Sequence, residues 1–292
     1  MPFDALRSAP LALGSSAPVA IFDSGLGGLS VLRAVRTALP DERLIYAADS
    51  LYAPYGERDD DFIADRTLAI GEWLVSQGAK ALVVACNTAT SQSIAQARER
   101  LPIPVIGVEP GIKPASLTSQ TRVVGVLATA VTLRSARFQA LAERHTGDCR
   151  FILQPGHGLV QAVERCDTDS PELIALLRSY VQPMLDANAD TLVLGCTHYP
   201  FLDRAIRAIA GDRLALIDTS VAIARQLERQ LDSFGLRATP AQAPDIELPR
   251  LYSTNDGQAL RQLAASLLGL DVTVEHVVIP SRRTRTLESD PV

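Results

Sequence analysis

Short apolar runs and longer segments of helical period alternate along this chain. VAIF is followed by LSVLRAVRTAL, LIYAA by DFIADRTLAIGEWLVSQ, and ALVVA by SQSIAQARERL, with VIGV closing the series. Apolar runs of this length suit strands buried on both faces, and the intervening period suits helices laid over them. The alternation predicts a parallel sheet with helices on both sides. Two prolines and a glycine in VEPGIKPAS interrupt it, and a second series then follows: VVGVLA, LRSARFQALAERH, FILQ, ELIALLRSYVQPMLDAN, TLVLG, FLDRAIRAIA and LALID.

The two series read as an internal repeat, since VAIFDSGLGG and VVGVLATAVT each open a unit and a strand-Cys-helix element closes each. The expected fold class is α/β: two similar α/β domains with mainly parallel sheets, pseudo-symmetric, with the active site in the cleft between them. After LIDTS, the segments VAIARQLERQLDSF and ELPRLYSTNDGQALRQLAASLL have no counterpart in the repeat and are expected to return to the first domain. The expected boundaries are 18–108 plus 221–277 for the first domain and 109–220 for the second, with disordered tails at 1–17 and 278–292.

Composition narrows the class. A chain of 292 residues with 47% hydrophobic content buries a large core. A net charge of -5 with no dense Lys/Arg run argues against a nucleic-acid surface and points to a small-molecule partner. The apolar runs are far shorter than the roughly 18 residues that span a bilayer, so no membrane segment is expected. The first residues match a secretory leader poorly. Four cysteines without close spacing suggest a reducing compartment, with the cytoplasm as the expected location, and neither a disulfide framework nor a CxxC zinc site.

Candidate chemistry gathers where the strands should end, because ligands of open α/β sheets bind beyond the carboxyl ends of the strands. VAIF leads to Asp23, Ser24 and the run Gly25 to Gly28. LIYAA leads to Asp49 and Ser50, ALVVA to Cys86, Asn87 and Thr88, and TLVLG to Cys196, Thr197 and His198. Each of the two cysteines is expected as the last residue of a strand at the start of a helix, where unpaired backbone N–H groups favour a thiolate. DSGLGG lacks both the G-x-G-x-x-G spacing and the Lys-Ser/Thr of a phosphate loop, so it reads as a tight turn able to hold an anion such as a carboxylate. Cys149 and Cys166 read as inert small hydrophobes. Cys196 and His198 alone make a poor zinc site, so no metal is expected. Pyridoxal phosphate needs a lysine Schiff base, yet the only lysines, Lys80 and Lys113, precede a strand and lie in a connector. No cofactor is expected.

At these residues the chain resembles the glutamate racemases, cofactor-independent enzymes of the aspartate/glutamate racemase superfamily. The resemblance runs from about residue 18 to 270 and rests on FDSGLGGLSVL, PYG at 54–56, ACNTAT, VEPG at 108–111 and LGCTHYPFL, in that order. It implies interconversion of L- and D-glutamate by removal of the α-proton on one face and return of a proton on the other, supplying D-glutamate for peptidoglycan. Cys86 and Cys196 match the two catalytic cysteines. Asp23 and Ser24, Tyr55 and Gly56, Asn87 and Thr88, and Thr197 and His198 match substrate-contacting pairs. Asp23 and His198 also match groups that assist the thiols, and Glu164 in LVQAVE matches a third. The segment QPGHGLVQAVE departs from the Cys-Pro-Leu-like stretch of many members, and His157 within it reads as a solvent-facing loop residue.

Thiols suit such a reaction, since each carries one proton and returns it to a defined face. Aspartate or a hydantoin would serve the same two-thiol site as alternative substrates. A non-catalytic reading makes the chain a binding or regulatory protein, some family members being reported to bind DNA gyrase. A homodimer is the expected assembly on general grounds.

Overall fold

The computed structural model describes residues 14–145, 147, 149–239, 248–269 and 271–281. Most of the expected tails, 1–13 and 282–292, lie outside the described residues. The first sheet contains β1 (Val19–Asp23), β2 (Leu44–Ala48), β3 (Ala81–Val84), β4 (Val105–Gly107), β9 (Arg250–Ser253) and β10 (Val274–His276). Its strand order is β10-β9-β2-β1-β3-β4. The second contains β5 (Val123–Ala128), β6 (Arg150–Pro155), β7 (Thr191–Gly195) and β8 (Ala215–Ile217), in the order β6-β5-β7-β8. Every pairing is parallel. The order β2-β1-β3-β4 recurs as β6-β5-β7-β8, so the repeat read from the chain is a repeat of topology.

Period-two alternation divides each sheet between two cores. In the first, Val19, Ile21 and Tyr46 face α1 (Leu29–Ala38), α10 (Ser220–Ser233) and α11 (Gln258–Leu268). Ala20, Phe22 and Ile45 face α2 (Asp60–Ser76) and α3 (Asn87–Arg100) on the other side. In the second sheet, Leu127, Leu192 and Leu194 pack under α7 (Leu159–Glu164), α8 (Pro171–Asp186) and α9 (Asp203–Ala210). Val124, Val126 and Val193 pack under α4 (Ile112–Thr118) and α6 (Ala136–Glu143), which follows the single turn of α5 (Ala130–Arg134). The segments after LIDTS therefore complete the first sheet and its helical layer.

Three local expectations change. VEPGIKPAS is not only a break, because Ile112–Thr118 is helical; Pro114 stands in the first turn, where the missing N–H would have had no partner. Residues 278–281, assigned to a disordered tail, are held: Ile279 is buried and its carbonyl accepts from Arg66 Nη1. At the other end, the Ser15 carbonyl accepts from Lys80 Nζ, which also pairs with Glu42. Ser15 at one end and Ile279 at the other are thus tied to the first sheet's layers. No helix among the described residues is long and apolar enough to cross a membrane.

Candidate active site

Strand β3 ends at Val84, and Cys86 follows as the N-cap of α3 with its sulfur 3.4 Å from the Ala89 N–H. From the end of β1, Ser24 Oγ reaches to 3.3 Å from the same sulfur. These contacts favour a thiolate, but burial and the neighbouring Asp23 carboxyl outweigh them and push the Cys86 thiol up to about 12. The expected helix-start effect is therefore corrected here. The thiol is only 6% exposed, and one N–H and one hydroxyl do not replace the water it has lost.

The second cysteine has other company. Cys196 follows β7 directly, but the next segment is a bend leading to a 3-10 turn at Tyr199–Leu202, so no α-helix starts at this sulfur as had been expected. His198 takes that role, with Nδ1 3.6 Å from Cys196 Sγ. Its Nε2 lies 2.6 Å from Glu164 Oε1, at the end of α7. Burial alone would lower His198, yet the Cys196 sulfur and the Glu164 carboxylate raise it well above the ordinary histidine value. The arrangement lets one proton pass between Sγ and Nδ1 while Glu164 balances the ring.

The glycine run joins the two sides. A Cβ at Gly25 would stand 1.9 Å from Glu164 Oε1, and one at Gly27 would stand 2.3 Å from His198 Nδ1. These glycines let the loop of the first sheet lie directly against residues of the second. Leu26 N–H donates to Glu164 Oε1 at 2.7 Å, and Thr197 Oγ1 donates to Asp23 Oδ1 at 3.4 Å. Asp23 is fully buried, and burial raises its carboxyl, with the charge of His198 opposing and that of Glu164 adding.

Of the other candidates, Thr88 Oγ1 meets Thr129 Oγ1 at 2.9 Å across the cleft, and Gly56 lies against Thr129. Asn87 is 4% exposed, and its amide nitrogen has no hydrogen-bond partner among the described residues, so a buried donor is left for a bound acceptor. Tyr55 gives its hydroxyl to Asp49, which accepts a bidentate pair from Arg66 at 2.9 and 2.7 Å. Asp49, a strand-end candidate, thus anchors the Tyr55–Gly56 turn. Arg66 lies within an ordinary helical period, and its sole signal in the chain is a cation at an apolar-face position of α2. His157 is exposed, as read from its loop. Cys149 is buried and Cys166 exposed. Among the described residues, no three His, Cys, Asp or Glu side chains group to hold a metal. A cleft of about 230 Å³ beside Glu164 is lined by Leu26, Pro54, Gln161 and Asn255.

Comparison with known proteins bears on the same residues. The family model described as Asp/Glu/Hydantoin racemase matches residues 29–227. The glutamate racemase of Ralstonia pickettii (strain 12J) is 60% identical over 255 residues, covering 87% of this chain and 89% of the relative. The crystal structure of Escherichia coli glutamate racemase in complex with L-glutamate and the activator UDP-MurNAc-ala superposes with a TM-score of 0.79 at 31% identity, over 91% of this chain and 100% of that one. The Francisella tularensis enzyme in complex with D-glutamate gives 0.78 at 27% identity, over 91% and 98%. With both cysteine loops inside the matched region, the chain belongs to the Asp/Glu/Hydantoin racemase family and, within it, to the glutamate racemases, which interconvert L- and D-glutamate.

Proposed function

We propose that Cys86 and Cys196 carry out this interconversion without a cofactor, one as thiolate removing the α-proton and the other as thiol supplying a proton to the opposite face. The observation that carries the reading is the placement of the two sulfurs at equivalent strand ends, after β3 and β7, with Cys196 among the charges that raise Cys86. The contacts of Cys196 with His198 and Glu164 suit that side to exchange a proton, and the burial of Cys86 suits the other to give one. The bound ammonium group then offsets the burial of Cys86 and permits the reverse direction. Asp23 helps poise the Cys86 side. Ser24, Tyr55, Gly56, Asn87, Thr88, Thr197 and His198 contact the substrate, the unpartnered Asn87 amide being suited to a carboxylate oxygen.

An amino acid with its ammonium intact has a weakly acidic α-proton, so preorganised donors around the developing carbanion supply most of the acceleration. The D-glutamate formed serves peptidoglycan synthesis in the cytoplasm, and the active form is a homodimer. The division into 18–108 with 221–277 and 109–220 belongs to the same reading and is supported by sheet membership.

The test is loss of the circular dichroism signal of L-glutamate with purified protein and no added cofactor. In deuterated water, the α-position should take up solvent label. Cys86→Ser and Cys196→Ser should each abolish racemisation; retention of activity in either variant rejects the two-thiol reading.

A further inference from the structure

The peptide between Gly25 and Leu26 is hydrogen-bonded at both of its polar groups. Tyr46 Oη donates to the Gly25 carbonyl at 2.8 Å, and the Leu26 N–H donates to Glu164 Oε1 at 2.7 Å. Carbonyl and N–H belong to one rigid plane, so fixing the first fixes the direction of the second. The same Glu164 oxygen lies 2.6 Å from His198 Nε2, and His198 Nδ1 lies 3.6 Å from Cys196 Sγ. A single run of polar contacts thus leads from β2 in the first sheet to the thiol beyond β7 in the second.

Tyr46 is fully buried beneath the glycine loop; a Cβ at Gly28 would come within 3.0 Å of its hydroxyl. Burial and the facing charges of Asp23, Glu164 and, less strongly, Cys86 raise this phenol well above the ordinary tyrosine value, so it is a donor here. A donor on the carbonyl polarises the peptide and strengthens its N–H toward Glu164 in a site of low dielectric. Cys86 stands outside this run, with Ser24 and the Ala89 N–H as its partners. Asp23 takes its loop hydrogen bond from the Gly25 N–H, which belongs to the preceding peptide.

We propose that Tyr46 is a positioning residue for the Cys196 half of the reaction: it fixes the Gly25–Leu26 peptide, which holds Glu164 on His198. The inference rests on the two-thiol reading and adds a residue of the first sheet that acts on the thiol of the second.

The two halves can be read separately with the enantiomers of glutamate carrying chlorine on the β-carbon. The thiolate takes the α-proton, the C–H electron pair forms the Cα–Cβ double bond and chloride leaves. The released enamine hydrolyses to ammonia and 2-oxoglutarate, so each enantiomer uses one cysteine only. Cys86→Ser and Cys196→Ser assign the enantiomers. Tyr46→Phe should then slow the Cys196-dependent elimination about tenfold, the effect of one buried hydrogen bond, while the other enantiomer keeps its rate. That retained rate also verifies folding. In a Glu164→Ala background, which removes the acceptor of the Leu26 N–H, Tyr46→Phe should add little, because the run is already cut.

Equal slowing of both enantiomers, or no slowing of either, overturns the assignment of Tyr46 and leaves the two-thiol reading standing. If the two serine variants fail to divide the enantiomers, the two-thiol reading falls, and the role of Tyr46 falls with it.

Discussion

The two cysteines occupy equivalent positions but not equivalent states. Burial and Asp23 push Cys86 up to about 12, against a Ser24 hydroxyl and one N–H that pull the other way. Only the thiolate alkylates, so at pH 8 a far smaller share of Cys86 is reactive than of a free cysteine, of which roughly one in four is thiolate. Iodoacetamide labelling of Cys86, followed by peptide mapping that separates it from exposed Cys166, should therefore keep accelerating from pH 8 to beyond pH 10. A plateau near pH 9 would contradict the burial argument. The register of the two cysteines was legible in the chain, since both follow an apolar run. Their inequality was legible in part, since His198 stands two residues from Cys196 while Cys86 draws on Asp23 from another strand; its size was not, because it depends on how deeply each sulfur is buried. His198 was visible two residues from Cys196; Glu164 as its partner becomes visible only when α7 lies over the glycine loop.

Elements decide what the strand-end rule leaves open. The rule singles out Asp23 and Asp49 alike, since each follows a strand of the same sheet. Asp23 reaches the cleft and takes a hydrogen bond from Thr197, whereas Asp49 turns to Arg66 of α2 and is 1% exposed. The difference arises from the partner each carboxylate meets: Thr197 from across the cleft for Asp23, and the Arg66 guanidinium for Asp49. The Arg66 guanidinium also lies 4.5 Å from the Tyr52 ring and donates to the Ile279 carbonyl, so it ties β2, the Tyr55 turn and the end of the described chain together. Replacing Arg66 by Met should leave Asp49 buried without its counter-charge and destabilise the protein by about 3–5 kcal/mol. Equilibrium urea unfolding measures this, and adding Asp49→Asn should restore part of the loss. A single-variant effect below about 1 kcal/mol, the range of an exposed pair, would show that the network is dispensable.

At the scale of the whole molecule, the repeat of strand order places a cysteine at the corresponding strand end of each sheet. The closure that brings the two together includes the polar contacts Leu26 to Glu164, Thr197 to Asp23, Ser30 to the Thr197 carbonyl, Thr88 to Thr129, Gln161 to Glu57 and the exposed pair Arg134–Asp60. With Cys86 and Cys196 only 6% and 7% exposed, glutamate reaches them only when those contacts part. The glycines of DSGLGG are read in the chain as a turn; their second role, an absence of side chain that allows this approach, depends on residues more than a hundred positions away. Gly25→Ala places a methyl 1.9 Å from Glu164 Oε1, a clash that opening the cleft relieves and unfolding does not require. The variant should keep its unfolding midpoint yet lose about a hundredfold in kcat, the penalty for misplacing a catalytic group by an ångström. Trp73 stacks edge-on against Tyr252 within the first sheet's helical layer, so its fluorescence will not report the motion. Small-angle scattering will: glutamate should contract the parent protein and leave Gly25→Ala expanded. If the variant contracts to the same radius and still loses its activity, the glycine serves the chemistry directly and closure is not what it permits.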